Sequence, residues 1–433
     1  MDLPILVLVV SFVILILLNV PVAFCMGISS VLAILAMGDL PAFVAVAHKI
    51  ATGIDSFTLL AIPFFILSGQ LMGRGGIARR LIDFANVLVG RFRGGLAFAN
   101  VLTCMLFGAI SGSATAAISA IGTFLVPVMN KMGYHRDFNA SLTVTAATTG
   151  LLIPPSNSMI VYSLATGGSV SIAAMFMAGY LPGILVGAGL MVVAGWISIT
   201  HKYGKGETFG FKEGLIRFFR AIPPLLLVFI VVGGILVGWF TPTEASAIGV
   251  LYTLILAVVV YREVKVKDLP KIFLQCGVTT SIVFLLIGTS MAMSWVMASE
   301  NVPQDISAGL MSLTNNKIII MLIINALLMV VGCFMDMTPA ILIFTPIFLP
   351  IIEKLGIHPL HFGIIMIMNL NIGLCTPPVG TALFLGCSIA ETTVTKIIRH
   401  VLPFFASMVV TLLITTYVPA ITMWLPDKLG FVK

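Results

Sequence analysis

Charge is what this chain has least of: Asp, Glu, Lys and Arg make up 9% of its 433 residues, while 59% are hydrophobic and the mean hydropathy is +1.16. A soluble domain carries about 25% charged residues, so a water-solvated globule is excluded. Basic groups outnumber acidic ones, 23 to 16. They fall in short stretches between apolar segments, as loops on the cytoplasmic side of a membrane do, and nucleic acid is not an expected partner. Cysteine is sparse too. Cys25, Cys104, Cys276, Cys333, Cys375 and Cys387 lie inside apolar segments without metal-ligand or redox spacing and read as small packing residues. HExxH is missing, no glycine stands two residues before Ser111, and none immediately precedes Asp336. Those absences remove zinc proteases, nucleophile-elbow hydrolases and intramembrane aspartyl proteases, so an enzyme is not expected. The opening Met1-Asp2-Leu3-Pro4 lacks the basic stretch of a cleaved signal peptide, and the first apolar run is expected to remain.

What the chain does have is long apolar runs, at 3–18, 20–37, 221–241, 245–260 and 402–426, each near the length that crosses a bilayer. It also repeats itself. At a fixed offset of 223, Pro127 pairs with Pro350, Lys131 with Lys354, Gly133 with Gly356, His135 with His358, Gly150 with Gly373, and Pro154-Pro155 with Pro377-Pro378. Residues 1–205 and 221–433 are therefore expected to form two repeats joined by a cytoplasmic linker at 206–220, an organisation typical of secondary transporters.

Basic residues set the orientation. Arg74, Arg79, Arg80, Arg91 and Arg93 crowd 74–93, whereas 295–316 contains no Lys or Arg. The basic stretches are expected on the cytoplasmic face of a bacterial inner membrane, with both termini periplasmic and the second repeat inverted. Threading the chain gives an all-α polytopic protein with five transmembrane helices and one re-entrant hairpin per repeat. The hairpins fall at about 94–130 and 317–352, and broken helices at about 138–165 and 360–388. The stretch 74–93 fits either an amphipathic arm at the interface or a solvated loop.

Backbone that leaves the helix inside a bilayer survives only where protein, water or ligand satisfies it. Four segments do so: the hairpin tips SGSAT (111–115) and DMTP (336–339), and the breaks GLLIPPSNS (150–158) and GLCTPPVGT (373–381). Paired prolines remove ladder donors, which is expected to leave the carbonyls of Gly150, Ile153, Gly373 and Thr376 unpaired and open to a hard cation such as sodium. The half-helix after each break offers N–H groups and a positive dipole end to an anion. Ser156, Asn157, Ser158 and Thr381 stand beside them as hydrogen-bond partners. Asp336, ionisable at membrane depth, marks a functional site.

With these motifs in place, the chain resembles over essentially its full length the large membrane subunit of TRAP (tripartite ATP-independent periplasmic) transporters, most closely the sialic acid branch. The resemblance implies an elevator in which hairpins and broken helices slide against a scaffold of outer helices, with sodium as coupling ion and no other cofactor. It also implies two partners, a small four-helix membrane subunit and a periplasmic binding protein that delivers an organic acid. Carried over by position, one sodium sits at Ser111, Gly150, Ile153 and Pro155, and a second at Gly332, Gly373, Thr376 and Pro378. Substrate contacts fall on Ser113, Asn157, Ser158, Asp336 and Thr338. Phe334 occupies the offset position of Ser111, so the second cation site cannot copy the first. A lone Asp336 suits a polyhydroxylated monoacid better than a small dianion, which favours sialic acid (N-acetylneuraminate). The alternatives are a TRAP importer of C4-dicarboxylates or another sugar acid, a stand-alone sodium/dicarboxylate symporter, and a channel.

Overall fold

The computed structural model describes every residue except 1, 2, 39, 40, 205, 207–209, 315, 378, 379, 432 and 433. Among the described residues all regular structure is helical. The first half runs α1 (Leu3–Leu17), α2 (Val22–Met37), α3 (Ala42–Ile54), α4 (Ala61–Arg74), α5 (Ile77–Val89), α6 (Gly95–Ser111), α7 (Ala114–Ala117), α8 (Thr123–Lys131), α9 (Arg136–Thr149), α10 (Asn157–Ala165) and α11 (Ile172–Thr200). The second runs α12 (Phe211–Leu236), α13 (Pro242–Leu254), α14 (Leu269–Ser299), α15 (Val302–Leu313), α16 (Lys317–Phe334), α17 (Met337–Lys354), α18 (Pro359–Leu374), α19 (Thr381–Ile389), α20 (Val394–Tyr417) and α21 (Ala420–Lys428).

Eight helical runs among the described residues are long and apolar enough to cross a membrane, so the chain is a multi-pass membrane protein. Its outer surface agrees. Leu17, Phe43, Val192 and Phe229 are each about 70–80% exposed, costly in water but ordinary against lipid. Trp196 and Trp239 are exposed as well, and Trp239 lies just beyond the end of α12, where an amphipathic ring meets the headgroup layer.

Local chemistry sets the helix ends. α13 begins at a capping box in which the Thr241 hydroxyl accepts from Glu244 N–H and the Glu244 carboxylate accepts from Thr241 N–H, with Pro242 at the first helical position. Gly76, in the left-handed region at φ 66°, turns the chain from α4 into α5. That second helix settles the reading of 74–93: it is an amphipathic arm packed on α6 and α12, with Asp83 paired to Arg217 of α12 at 3.1 Å.

The halves share one order of elements but not one geometry. α14 is a single 31-residue helix, whereas the matching stretch of the first half breaks into α3 and α4. At the centre, α9 and α18 are buried from Phe138 to Thr149 and from Leu360 to Leu374. α9 is rich in hydroxyls, and Thr143, Thr145 and Thr149 donate to carbonyls four residues back. A helix wrapped wholly in protein needs no lipid-facing stripe, so its Thr and Ser content costs little.

Candidate substrate and cation site

Each hairpin's first arm crosses the break of the adjacent central helix at a pair of glycines. A Cβ added to Gly150 would lie 2.4 Å from Gly108 Cα, and one added to Gly373 would lie 2.4 Å from the Gly332 carbonyl carbon. No side chain fits either crossing, so backbone meets backbone and the tips are held against the breaks.

Beyond the first crossing, Gly112 turns the tip in the left-handed region at φ 60°. Ser113 then caps α7, its hydroxyl accepting from Ala116 N–H at 3.3 Å and lying 3.0 Å from the Thr115 hydroxyl. The Ser111 hydroxyl, 3% exposed, donates to the Ser113 carbonyl at 3.4 Å. Asn157 opens α10 beside this tip, and a Cβ on Gly112 would come 3.1 Å from its Nδ2. Two side-chain oxygens here, Ser156 Oγ and Asn157 Oδ1, are buried without a hydrogen-bond partner. Buried acceptors are rarely left so.

At the second tip Asp336 stands at the start of α17 and accepts from the Thr381 hydroxyl at 3.2 Å, while Gly380 N–H donates to the Cys333 carbonyl at 3.4 Å. Gly380 has φ 31°, and a Cβ there would lie 2.8 Å from the Thr376 carbonyl oxygen. The carboxylate thus bridges hairpin and half-helix.

All five expected substrate residues, Ser113, Asn157, Ser158, Asp336 and Thr338, line one cavity of about 1270 Å³, together with Ser111 and Gly332. Its opposite wall is formed by α4 and α14, with the start of α2. Gly150, Ile153, Pro155, Gly373 and Thr376 sit behind the tips and do not line the cavity. Pro378 lies outside the described residues.

Two expectations need correction. The Gly150 carbonyl is not unpaired, since it accepts from Ile153 N–H at 3.2 Å; the Gly373 carbonyl accepts from Thr376 N–H at 2.9 Å. A tight turn closes each helix end, and each carbonyl keeps only its second lone pair for an ion. Among the described residues no backbone hydrogen bond accepts at Ile153 or Thr376. The second correction concerns register. The glycine crossings place Gly108 opposite Gly332, which aligns Ser111 with Met335 rather than Phe334, and the first tip carries one extra residue. The helix starts still align Ser113 with Asp336.

Four polar side chains on the cavity's far wall, Gln70, Arg74, Gln275 and Thr279, went unread in the sequence. Arg74 counted only towards the basic loop. The available signal was the four-residue spacing of Gln70 and Arg74, and of Gln275 and Thr279, at the ends of apolar helices.

Hairpin tips and interrupted helices gathered on one cavity are an arrangement from which membrane transporters build their sites. Residues 9–421 match the DctM component of the tripartite ATP-independent periplasmic transporters, and the chain belongs to that family as a large permease subunit. It is 51% identical to the uncharacterised protein YgiK of Salmonella typhimurium, over 98% of this chain and 97% of that one. It is 42% identical to the C4-dicarboxylate TRAP transporter large permease DctM of Pseudomonas aeruginosa over 89% and 90% of the two chains. The sialic acid TRAP transporter large permease SiaM of Vibrio cholerae is 35% identical over 88% and 89%. In fold, the chain is similar to the YdaH transporter of Alcanivorax borkumensis, with a TM-score of 0.61 at 12% identity, covering 89% of this chain and 88% of that one.

Proposed function

We propose that this chain carries an organic acid anion into the bacterial cytoplasm by sodium symport, as the moving membrane component of a tripartite importer. The observation that carries the reading is the convergence of both hairpin tips and both half-helix starts on one cavity. Hydroxyls, a carboxamide and one carboxylate meet there, a set that recognises a hydroxylated acid.

Sodium is the coupling ion on this reading. Ser111, Gly150, Ile153 and Pro155 hold one ion; Gly332, Gly373, Thr376 and Pro378 hold the other. The orphaned Ser156 Oγ and Asn157 Oδ1 supply hard oxygen acceptors close to the first set. One sodium entering down about 100 mV and a tenfold gradient provides about 2.3 plus 1.4 kcal/mol, about 500-fold accumulation before the cost of moving an anion in against the same potential is subtracted, so scavenging calls for at least two.

The unit that moves comprises the hairpins α6–α8 and α16–α17 with the broken helices α9–α10 and α18–α19, riding on a scaffold built around α1–α4 and α12–α14. The two bodies touch closely at Gly69 of α4, where a Cβ would lie 2.6 Å from the Ser111 carbonyl oxygen. On this reading the cavity, which reaches Arg74 and the α1–α2 turn at Pro21, opens towards the cytoplasm. The periplasmic binding protein and the small membrane subunit complete the importer.

A polyhydroxylated acid such as sialic acid fits the single carboxylate at the tips, because its hydroxyls donate to Asp336. A C4-dicarboxylate is the second reading, favoured by 42% identity to a permease of that name against 35% for the sialic acid permease. Vesicle uptake of labelled N-acetylneuraminate and succinate, with and without a sodium gradient and the binding protein, tests the proposal. Uptake by this chain alone makes it a stand-alone symporter. Conductance without coupled substrate makes it a channel.

A further inference from the structure

Among the described residues lining the cavity, one cation faces one carboxylate: Arg74, at the basic end of α4, and Asp336, at the second tip. They belong to different bodies, the scaffold and the moving unit. We propose that Arg74 and Gln275 form an anion-docking cleft on the scaffold wall, which receives the carboxylate of the departing acid at the cytoplasmic mouth. This inference rests on the proposal that the cargo is an organic acid and the basic face is cytoplasmic.

The chemistry of the pair is one-sided. Arg74 Nη2 donates to Gln275 Oε1, across from α4 to α14. That bond occupies one lone pair of the oxygen and leaves the Gln275 N–H groups and the remaining guanidinium N–H groups as donors. A cleft so rich in donors complements a carboxylate, whose oxygens only accept. Gln70 lies one turn above Arg74, its Oε1 buried without a partner, and Thr279 lies one turn above Gln275, its hydroxyl donating to the Gln275 carbonyl at 3.0 Å. These four side chains form a polar stripe down an otherwise aliphatic wall, leading from the tips to the mouth.

Arg74 differs from its basic neighbours. Arg80 is engaged by the Tyr261 ring at 3.6 Å and the Gly76 carbonyl at 2.8 Å, away from the cavity. Repulsion by Asp336 at the tips and attraction by Arg74 at the mouth both drive an anion outwards, so its release down the stripe is favoured at either end.

Inverted and right-side-out membrane vesicles from cells producing the full transporter test this, with labelled succinate, isethionate, gluconate and N-acetylneuraminate as probes. For the acid that wild-type vesicles move, Arg74→Gln should raise KM about tenfold on the basic face and leave the opposite face within about twofold, with Arg74→Lys recovering most of the loss. Gln275→Glu separates docking from bracing. A helix brace would be kept or strengthened by the new ion pair, whereas a docked anion would be excluded by it, so a rise in KM on the basic face comparable to that of Arg74→Gln is expected. Unchanged or symmetric kinetics in Arg74→Gln, or normal transport in Gln275→Glu, overturns the inference and leaves the organic-acid reading standing. Wild-type vesicles that move none of the four acids overturn both.

Discussion

Ser113 follows its crossing glycine, Gly108, by five positions, and Asp336 follows Gly332 by four. Both residues open the returning arm of a hairpin. The first tip is finished with hydroxyls turned onto its own backbone, plus a left-handed glycine; the second is finished with a carboxylate that reaches across to Thr381 of the half-helix. The two halves thus share the crossing, which packing forbids to change, and differ at the tip, where chemistry is chosen. On the function proposed above, the first side, with two orphaned oxygens beside it, takes the cation, and the second, with its carboxylate open to the cavity, the hydroxylated substrate.

The largest expected break in this comparison is Asp336→Ala. Losing a charged acceptor from the site should lower kcat/KM for uptake about 100-fold, while Ser113→Ala, whose hydroxyl mainly caps a helix, should cost tenfold or less, about 1 kcal/mol. Initial uptake rates in proteoliposomes decide it, and equal losses would dissolve the division of labour. Next come the crossings. Gly150→Ala and Gly373→Ala each force a Cβ into backbone and should destabilise the protein by about 1–3 kcal/mol, seen as lowered thermal midpoints of similar size in the two variants. A large difference would show that one crossing is looser than the other. Smaller still, Ser111→Ala should raise the sodium concentration for half-maximal uptake about threefold to tenfold, with the substrate KM at saturating sodium little changed. Met335→Ala, at the matching position of the other tip, should leave the sodium response unmoved.

Much of this architecture was legible in the sequence because a bilayer narrows the choices. Apolar runs of spanning length and proline pairs amid apolar sequence need no tertiary information to interpret. The offset of 223 was visible where packing holds residues fixed, at Gly150 and Gly373 and at the prolines beside them. It failed at the tip turns, where Ser111, Gly112 and Ser113 share nothing with Phe334, Met335 and Asp336 and a one-residue difference leaves no mark; Phe334 was therefore matched to Ser111 when the glycine crossings select Met335. The carbonyls of Gly150 and Gly373 were misread for a related reason: proline removes donors downstream, but the turn that closes the preceding helix depends on backbone angles that composition does not reveal. The polar stripe on the scaffold went unseen because Arg74 belongs at once to a basic loop and to a cavity wall, and only tertiary packing separates the two.

The extra residue of the first tip supplies the gentlest test. Gly112 at φ 60° costs nothing as glycine, whereas alanine there loses about 1–2 kcal/mol to steric strain. Its Cβ would also stand 3.1 Å from Asn157 Nδ2, tight enough to move the carboxamide by a few tenths of an ångström. Gly112→Ala should therefore lower the thermal midpoint modestly and weaken uptake through Asn157 rather than through Asp336. The Asn157→Ala background separates the two contributions: in the double variant the strain remains but the transport penalty of the alanine disappears, because there is no carboxamide left to displace. Additive transport losses would mean that the tip's left-handed turn matters to the site in its own right, and the contrast with the shorter, glycine-free second tip would then lie in backbone shape rather than in the groups it carries.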